Sequence, residues 1–150
     1  MNYFKIRFIL FTALILCFSC SNNEESGDDL CSTACVYTIA SGETAATAAT
    51  SLEGTYELTF HYPQANAPFT DGTKAKFTLK DNVLTVEISG KDCITIKNPI
   101  KSSPSSTEII FKDTCRDQYS YAVSMNASGG LNEVNLGTVG GTWLGQFNDQ

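Results

Sequence analysis

One histidine, one tryptophan and ten basic side chains are all that 150 residues offer of those types. With His61 alone, a histidine-based triad or a multi-histidine metal centre has very little to be built from. Ten Lys and Arg face sixteen Asp and Glu, a formal charge of −6, and no basic cluster interrupts the acidic background. Nucleic acid is therefore disfavoured as a partner, because neutralising phosphates needs a positive surface. The same deficit argues against side-chain adsorption to anionic lipid. Hydrophobic runs are short as well. The longest, Phe8 to Phe18, has eleven residues and is broken by Thr12, whereas a membrane-spanning helix needs about 20.

The residues around that run are ordered in an informative way. Lys5 and Arg7 precede it, Ser19-Cys20 follow it, and a polar, acidic stretch from Ser21 to Asp29 comes next. This is the order of a cleavable bacterial export signal ending in a cysteine. The segment Leu16-Cys17-Phe18-Ser19-Cys20 resembles a lipobox. The resemblance implies that residues 1–19 are removed and that Cys20 carries diacylglycerol and palmitate, whose acyl chains would hold the mature N-terminus in a membrane. An ordinary secretory signal cut at the same bond competes with it, since Cys17 and Ser19 also satisfy a small-x-small rule. Cysteine parity separates the two. A lipidated Cys20 leaves Cys31, Cys35, Cys93 and Cys115, an even set for two disulfides. A free Cys20 leaves an odd thiol in an oxidising compartment.

Residues 20–30 have no apolar side chain between Ser21 and Asp29 and read as a solvated tether. They resemble the short acidic export signals of surface lipoproteins in Bacteroidota-type bacteria. That resemblance implies an outer-membrane location facing the cell exterior. Without Lys5 and Arg7, eight basic side chains remain against sixteen acidic ones, a net charge of −8. Residues 31–150 are one domain's worth of chain, long enough for a core of its own.

From Gly54 onward apolar residues recur at every second position, the period of half-buried strands. Tyr56, Leu58, Phe60 and Tyr62 share one face of the first strand, opposite Thr55, Glu57, Thr59 and His61. The pattern continues through Ala75 to Leu79, Leu84 to Ile88, Ile94 to Ile96, Ile109 to Phe111, Tyr119 to Met125, Val134 to Leu136 and Trp143 to Phe147. Pro63, Pro68, Asp71-Gly72, Asp81-Asn82, Gly90, Pro99, Pro104, Gly129-Gly130 and Gly140-Gly141 mark the breaks. About eight strands joined by short turns predict an all-β, single antiparallel domain. A β-sandwich is favoured over a lipocalin-like barrel. Gly54-Thr55-Tyr56 and Gly141-Thr142-Trp143 resemble the Gly-x-Trp start of lipocalin-like barrels and keep that alternative open. The Ala/Thr-rich stretch from Gly42 to Ser51 reads as a lead-in, with threonines opposing a helix.

If all connections are antiparallel, the loops at 63–72, 90–92, 113–118 and 137–141 share one end, and the turns near 81, 99–106 and 126–130 share the other. Cys93 and Cys115 then fall opposite each other and predict a cystine stapling that first end. Cys31 and Cys35 are left to close a local loop or to tie the domain's start to the sheet, with the other pairings open. Cys-x3-Cys without a second close pair argues against a zinc site.

The first end is the expected binding rim. It gathers His61, Tyr62, Phe69, Asp71, Asp113, Arg116, Asp117, Tyr119 and Trp143. Aspartates there, Asp92 included, have the oxygen chemistry of a calcium site, but aspartate is also an ordinary turn residue and no Asp-x-Asp-x-Asp loop exists. Two carboxylates for glycoside hydrolysis would need a deep cleft. Flat rings at strand ends are more often core than contact, yet they are what stacks on a sugar or anchors a protein. Asn126-Ala127-Ser128 matches a glycosylation triplet and reads more simply as a turn. The expectation is thus a lipid-anchored, non-enzymatic binding module for an extracellular glycan or protein, without cofactor or metal. A lipocalin-like carrier of an apolar ligand, an architectural envelope subunit and a hydrolase using His61 with the aspartates are the competing readings.

Overall fold

The computed structural model describes Cys31 and residues 33–150; the expected signal, Cys20 and the tether lie outside the described residues. All eight expected strands form. They are β2 (Gly54–His61), β3 (Lys74–Lys80), β4 (Val83–Ile88), β5 (Ile94–Lys97), β7 (Ile109–Lys112), β8 (Tyr119–Met125), β9 (Leu131–Thr138) and β10 (Trp143–Asn148). Two short strands join them, β1 (Ala34–Val36) and β6 (Ile100–Lys101). Neither has enough residues for alternation to be read. Among the described residues the one helical element is a 3-10 turn, Thr50–Leu52.

The ten strands make one sheet in the order β1-β5-β4-β3-β2-β10-β9-β8-β7-β6. Every pairing is antiparallel except β1 with β5, which is parallel and makes the sheet mixed. Following the antiparallel order across the sheet leaves β5 and β6 running in the same direction. Only Asn98-Pro99 separates them, with Asn98 at φ 62° and Pro99 unable to donate to a ladder. The chain therefore changes partners in the middle of one course, from β4 to β7. Among the described residues no ladder closes the circle, so the domain is sandwich-like and not a closed barrel.

Side chains on the inner face show that the two halves meet. Phe77 on β3 lies 6.1 Å from Tyr121 on β8, although three strands separate β3 from β8 within the sheet. Phe147 packs 4.9 Å from Phe60 and 5.0 Å from Phe77. With Phe111, Ile94, Ile96, Val134 and Leu136, all at or below 1% exposure, these rings fill the interior. β-branched and aromatic residues at alternate positions suit this role because they pack well on a pleated surface.

The open seam between β5 and β6–β7 is covered by chain and by sulfur. Residues 37–52 cross it: Tyr37 N–H donates to Lys97 O, Lys101 N–H to Thr44 O, and Ala46 N–H to Pro99 O. Further along, Ala48 N–H donates to Asn82 Oδ1 and the Ser51 hydroxyl to Gly129 O, so the lead-in also crosses the second end. The cystines are Cys31–Cys93 and Cys35–Cys115, with Cα separations of 5.1 and 5.7 Å. This corrects the expected pairing of Cys93 with Cys115. The parallel strand β1 places Cys35 beside β5 and opposite the β7–β8 loop, a contact no antiparallel count contains.

Candidate functional site

The loops expected at one end do meet there. Arg116 Nη1 donates to Asp92 O at 2.7 Å, Val139 N–H to Gln118 O at 2.9 Å, and Asp71 lies 3.2 Å from His61. The nine expected rim residues separate into a buried set and a presented set.

Asp113, Phe69 and the Arg116–Asp117 pair do structural work. Asp113 is fully buried at the end of β7. One carboxylate oxygen accepts the amides of Cys115 and Arg116, and the other accepts that of Asp117. An aspartate before a tight loop satisfies amides that no strand partner reaches, the ordinary turn role of this side chain. Its expected place on an exposed rim is corrected accordingly. Arg116 bonds Asp117 through Nε at 3.0 Å, and Lys91 lies 3.8 Å from the same carboxylate. Phe69 is buried, 5.7 Å from Phe60 and 6.3 Å from Tyr119. Tyr119 is half-buried; burial and the nearby Asp117 and Asp113 carboxylates push its phenol pKa up. Cys35, Cys115 and Asp113 also cluster. The two sulfurs are joined to each other and the carboxylate is used by the loop amides, so the group is a structural knot.

The presented set lies where β2 ends beside the start of β10. His61 and Gln146 are paired across this ladder and share its outer face. His61 Nδ1 lies 3.2 Å from the Asp71 carboxylate and Nε2 3.0 Å from the Gln150 carbonyl, two acceptors of which a neutral imidazole donates to one at a time. Tyr62 follows with φ 56°. Alternation would send its ring inward beside Phe60. The left-handed backbone breaks that alternation, and the residue is 59% exposed. On the neighbouring strand Trp143 is 42% exposed, and its Nε1–H donates to Asn135 Oδ1 at 3.2 Å. Asn135 in turn donates to Glu133 Oε1 at 3.0 Å. The loop after Tyr62 stays with β10, since Gln64 N–H donates to Leu144 O at 2.9 Å.

Sequence reasoning identified Tyr62, Trp143, His61 and Asp71 but not Asn135, Gln146 or Glu133. These three alternate with buried Val134, Leu136 and Phe147 and looked like ordinary solvated positions; only their proximity to Trp143 and His61 distinguishes them. Elsewhere, an open groove of about 360 Å³ lies beside β6 and β7, lined by Thr44, Ser102, Ser103, Ile110, Ser120 and Gly140 among others. None of the expected rim residues lines it. Comparison with family models, with curated proteins and with solved structures found no match.

Proposed function

We propose that this chain is a lipid-anchored extracellular lipoprotein whose β domain works as a non-enzymatic binding module. The carrying observation is where the apolar exposure falls. Among the described residues the large exposed hydrophobics are Val36, Tyr62 and Trp143, and the two aromatic ones lie at the same end of the sheet, Tyr62 just beyond β2 and Trp143 at the start of β10. Single exposed aromatics are ordinary, whereas two at one end of a rigid sheet offer more apolar surface for contact. The filled interior supports this reading over an apolar-ligand carrier, which needs a cavity of roughly 300 Å³ or more. Among the described residues His61 Nε2 faces the Gln150 carbonyl and no hydroxyl or thiol nucleophile, and Asp113 is buried under loop amides; both favour it over a hydrolase.

Cys20 supplies the anchor in this proposal, and its acyl chains would leave the rim free to face outward. The test uses the full chain on intact cells, with a photo-crosslinking amino acid at Gln146. Metabolic palmitate labelling is expected in this protein and absent in Cys20→Ala. A discrete adduct, of whatever chemical class, is expected at Gln146. Unlabelled Cys20 would remove the anchor, and a folded, surface-exposed protein that forms no adduct would overturn the binding reading.

A further inference from the structure

The sheet has two edges, β1 and β6, and they are treated differently. On β6 the lead-in supplies a partner: Lys101 N–H donates to Thr44 O, Ala46 N–H donates to Pro99 O, and Ala45 bridges Ile100. Lys101 and the neighbouring Pro99 blunt this edge as well, since a charge and a missing N–H oppose further pairing. β1 has neither device. Residues 33–38 read Thr-Ala-Cys-Val-Tyr-Thr, without proline, glycine or charge. One side of the strand is occupied, because Thr95 N–H donates to Thr33 O and Tyr37 N–H to Lys97 O, with Cys35 in register with Ile96. Successive residues of a parallel strand address opposite edges, so Thr33, Cys35 and Tyr37 face β5 while Ala34 and Val36 turn N–H and C=O outward. Among the described residues nothing bonds those outward groups, nor the main chain of Thr38 just beyond. All three residues are exposed, Val36 at 58%.

Independently of the binding reading above, we infer that β1 pairs with the β1 of a second copy of this chain, antiparallel about a two-fold axis at Val36. In that register Val36 meets the partner's Val36, and Ala34 meets the partner's Thr38. Each such pair exchanges two hydrogen bonds, so every outward main-chain group finds its complement. The free groups lie symmetrically about Val36, as a contact between identical surfaces requires. The apolar exposure falls on the same point. Val36 is the large aliphatic side chain exposed among the described residues, and across the axis two β-branched side chains would stand about 5.5 Å apart at Cβ. Charge does not oppose the pairing. Lys97, in register with Val36 on β5, would lie three strand spacings from its twin, about 14 Å, beyond a Debye length of about 8 Å. Cystines to Cys93 and Cys115 fix this segment beforehand, so little chain is ordered on contact. The preceding acidic residues 21–29 contain no apolar side chain to set against Val36, and a foreign strand would need to match its position by chance. A contact this short belongs to the small end of interfaces, which makes the dimer weak and concentration-dependent.

The test sediments the full chain in density-matched detergent from about 1 μM to 1 mM, with amide exchange followed at residues 34, 36 and 38. A monomer–dimer equilibrium is expected, in which exchange at those three amides slows as the dimer fills. Val36→Lys sets like charges at the axis and should weaken the dimer at least about tenfold. Its melting temperature as a monomer should not change, because the residue is exposed. Ala34→Pro removes one outward N–H and no ladder bond, and should weaken the dimer to a similar degree. On intact cells, a photo-crosslinking amino acid at Thr38 should give an adduct of twice the chain mass, joined near the partner's Ala34. A monomer at every concentration, or a dimer indifferent to Val36→Lys, overturns the inference. Slow exchange at residues 34 and 36 in the monomer, lost when residues 21–29 are deleted, also overturns it and makes that segment the occupant. An adduct at Thr38 that contains only a different protein overturns it in favour of a foreign strand.

Discussion

Gly145 is where β10 can pass against β2 at all. The register shifts between Trp143 and Gly145, and the bulge lets Leu144 and Gly145 both turn inward. A Cβ built on Gly145 would lie 2.4 Å from Phe60 Cζ and 3.0 Å from the His61 carbonyl, at φ 149°. Phe60 is fully buried among Phe69 and Phe147 and has no room to yield. Gly145→Ala is therefore expected to cost about 3 kcal/mol, overpacking and backbone strain acting together. Urea unfolding should show a lower midpoint with an unchanged slope. A loss under 1 kcal/mol would mean that β10 and β2 can separate more freely than their packing shows. Nothing in the sequence distinguishes this glycine from Gly140 or Gly141, which face open space or a single threonine oxygen. The difference is the ring across the ladder.

Among the elements, the lead-in from Tyr37 to Leu52 holds the open seam, and one of its attachments is ionic. Lys112 on β7 pairs with Glu43 at 2.5 Å, and Glu43 also accepts the Tyr37 hydroxyl at 2.7 Å and the Ala40 amide at 2.8 Å. The bonds from Lys112, Tyr37 and Ala40 hold the Glu43 carboxyl down to about 2, from an ordinary 4.5. On Lys112, burial opposes the charge but is outweighed by Glu43 and Tyr37, and its pKa rises. A carboxyl depressed in the folded state stabilises above its unfolded pKa and loses that contribution as pH falls through the folded one. Between pH 4.5 and 2 the seam should thus weaken. Glu43→Gln is expected to remove about 1–2 kcal/mol at pH 7 and to flatten the acid limb. Equal slopes for the two proteins between pH 4.5 and 2 would show that the pair contributes nothing there. The sequence marked this stretch only as a poor helix. Its partner on β7 lies 69 residues away, beyond the reach of any local pattern.

At the scale of the whole molecule, the two disulfides divide the labour. Cys31–Cys93 ties the domain's start to the β4–β5 loop, beside the strand its own segment already pairs with. Cys35–Cys115, across 80 residues, joins β1 to the β7–β8 loop on the far side of the seam. A cross-link of that span stabilises by about 4 kcal/mol in the chain-entropy account. The paired change Cys35→Ala with Cys115→Ala should lower stability by about that amount. It should also speed amide exchange in β1, residues 37–52 and β6–β7, while the β2–β10–β9 ladder keeps its protection. Replacing Cys31 and Cys93 together should speed exchange only near the N-terminus and the 89–93 loop. Uniform acceleration in both variants would show that the seam is not a separate unit of stability.

Alternation alone determined the all-β class, the eight principal strands and which end each loop occupies, because a period of two is a local property of the chain. The turn at Asp81-Asn82, both residues at positive φ, was equally local. Tyr62, Trp143, His61 and Asp71 could be named at the rim for the same reason. Tertiary structure alone decided the cystine pairing, the change of partners at Asn98-Pro99 and the outward turn of Tyr62. It also decided that Asp113 serves the loop from inside while Asn135 and Glu133 orient the tryptophan. Each of these depends on residues far apart in the chain meeting through a parallel strand, a bulge or a seam. Such meetings follow from how the whole sheet curls, and no stretch of a few residues encodes them.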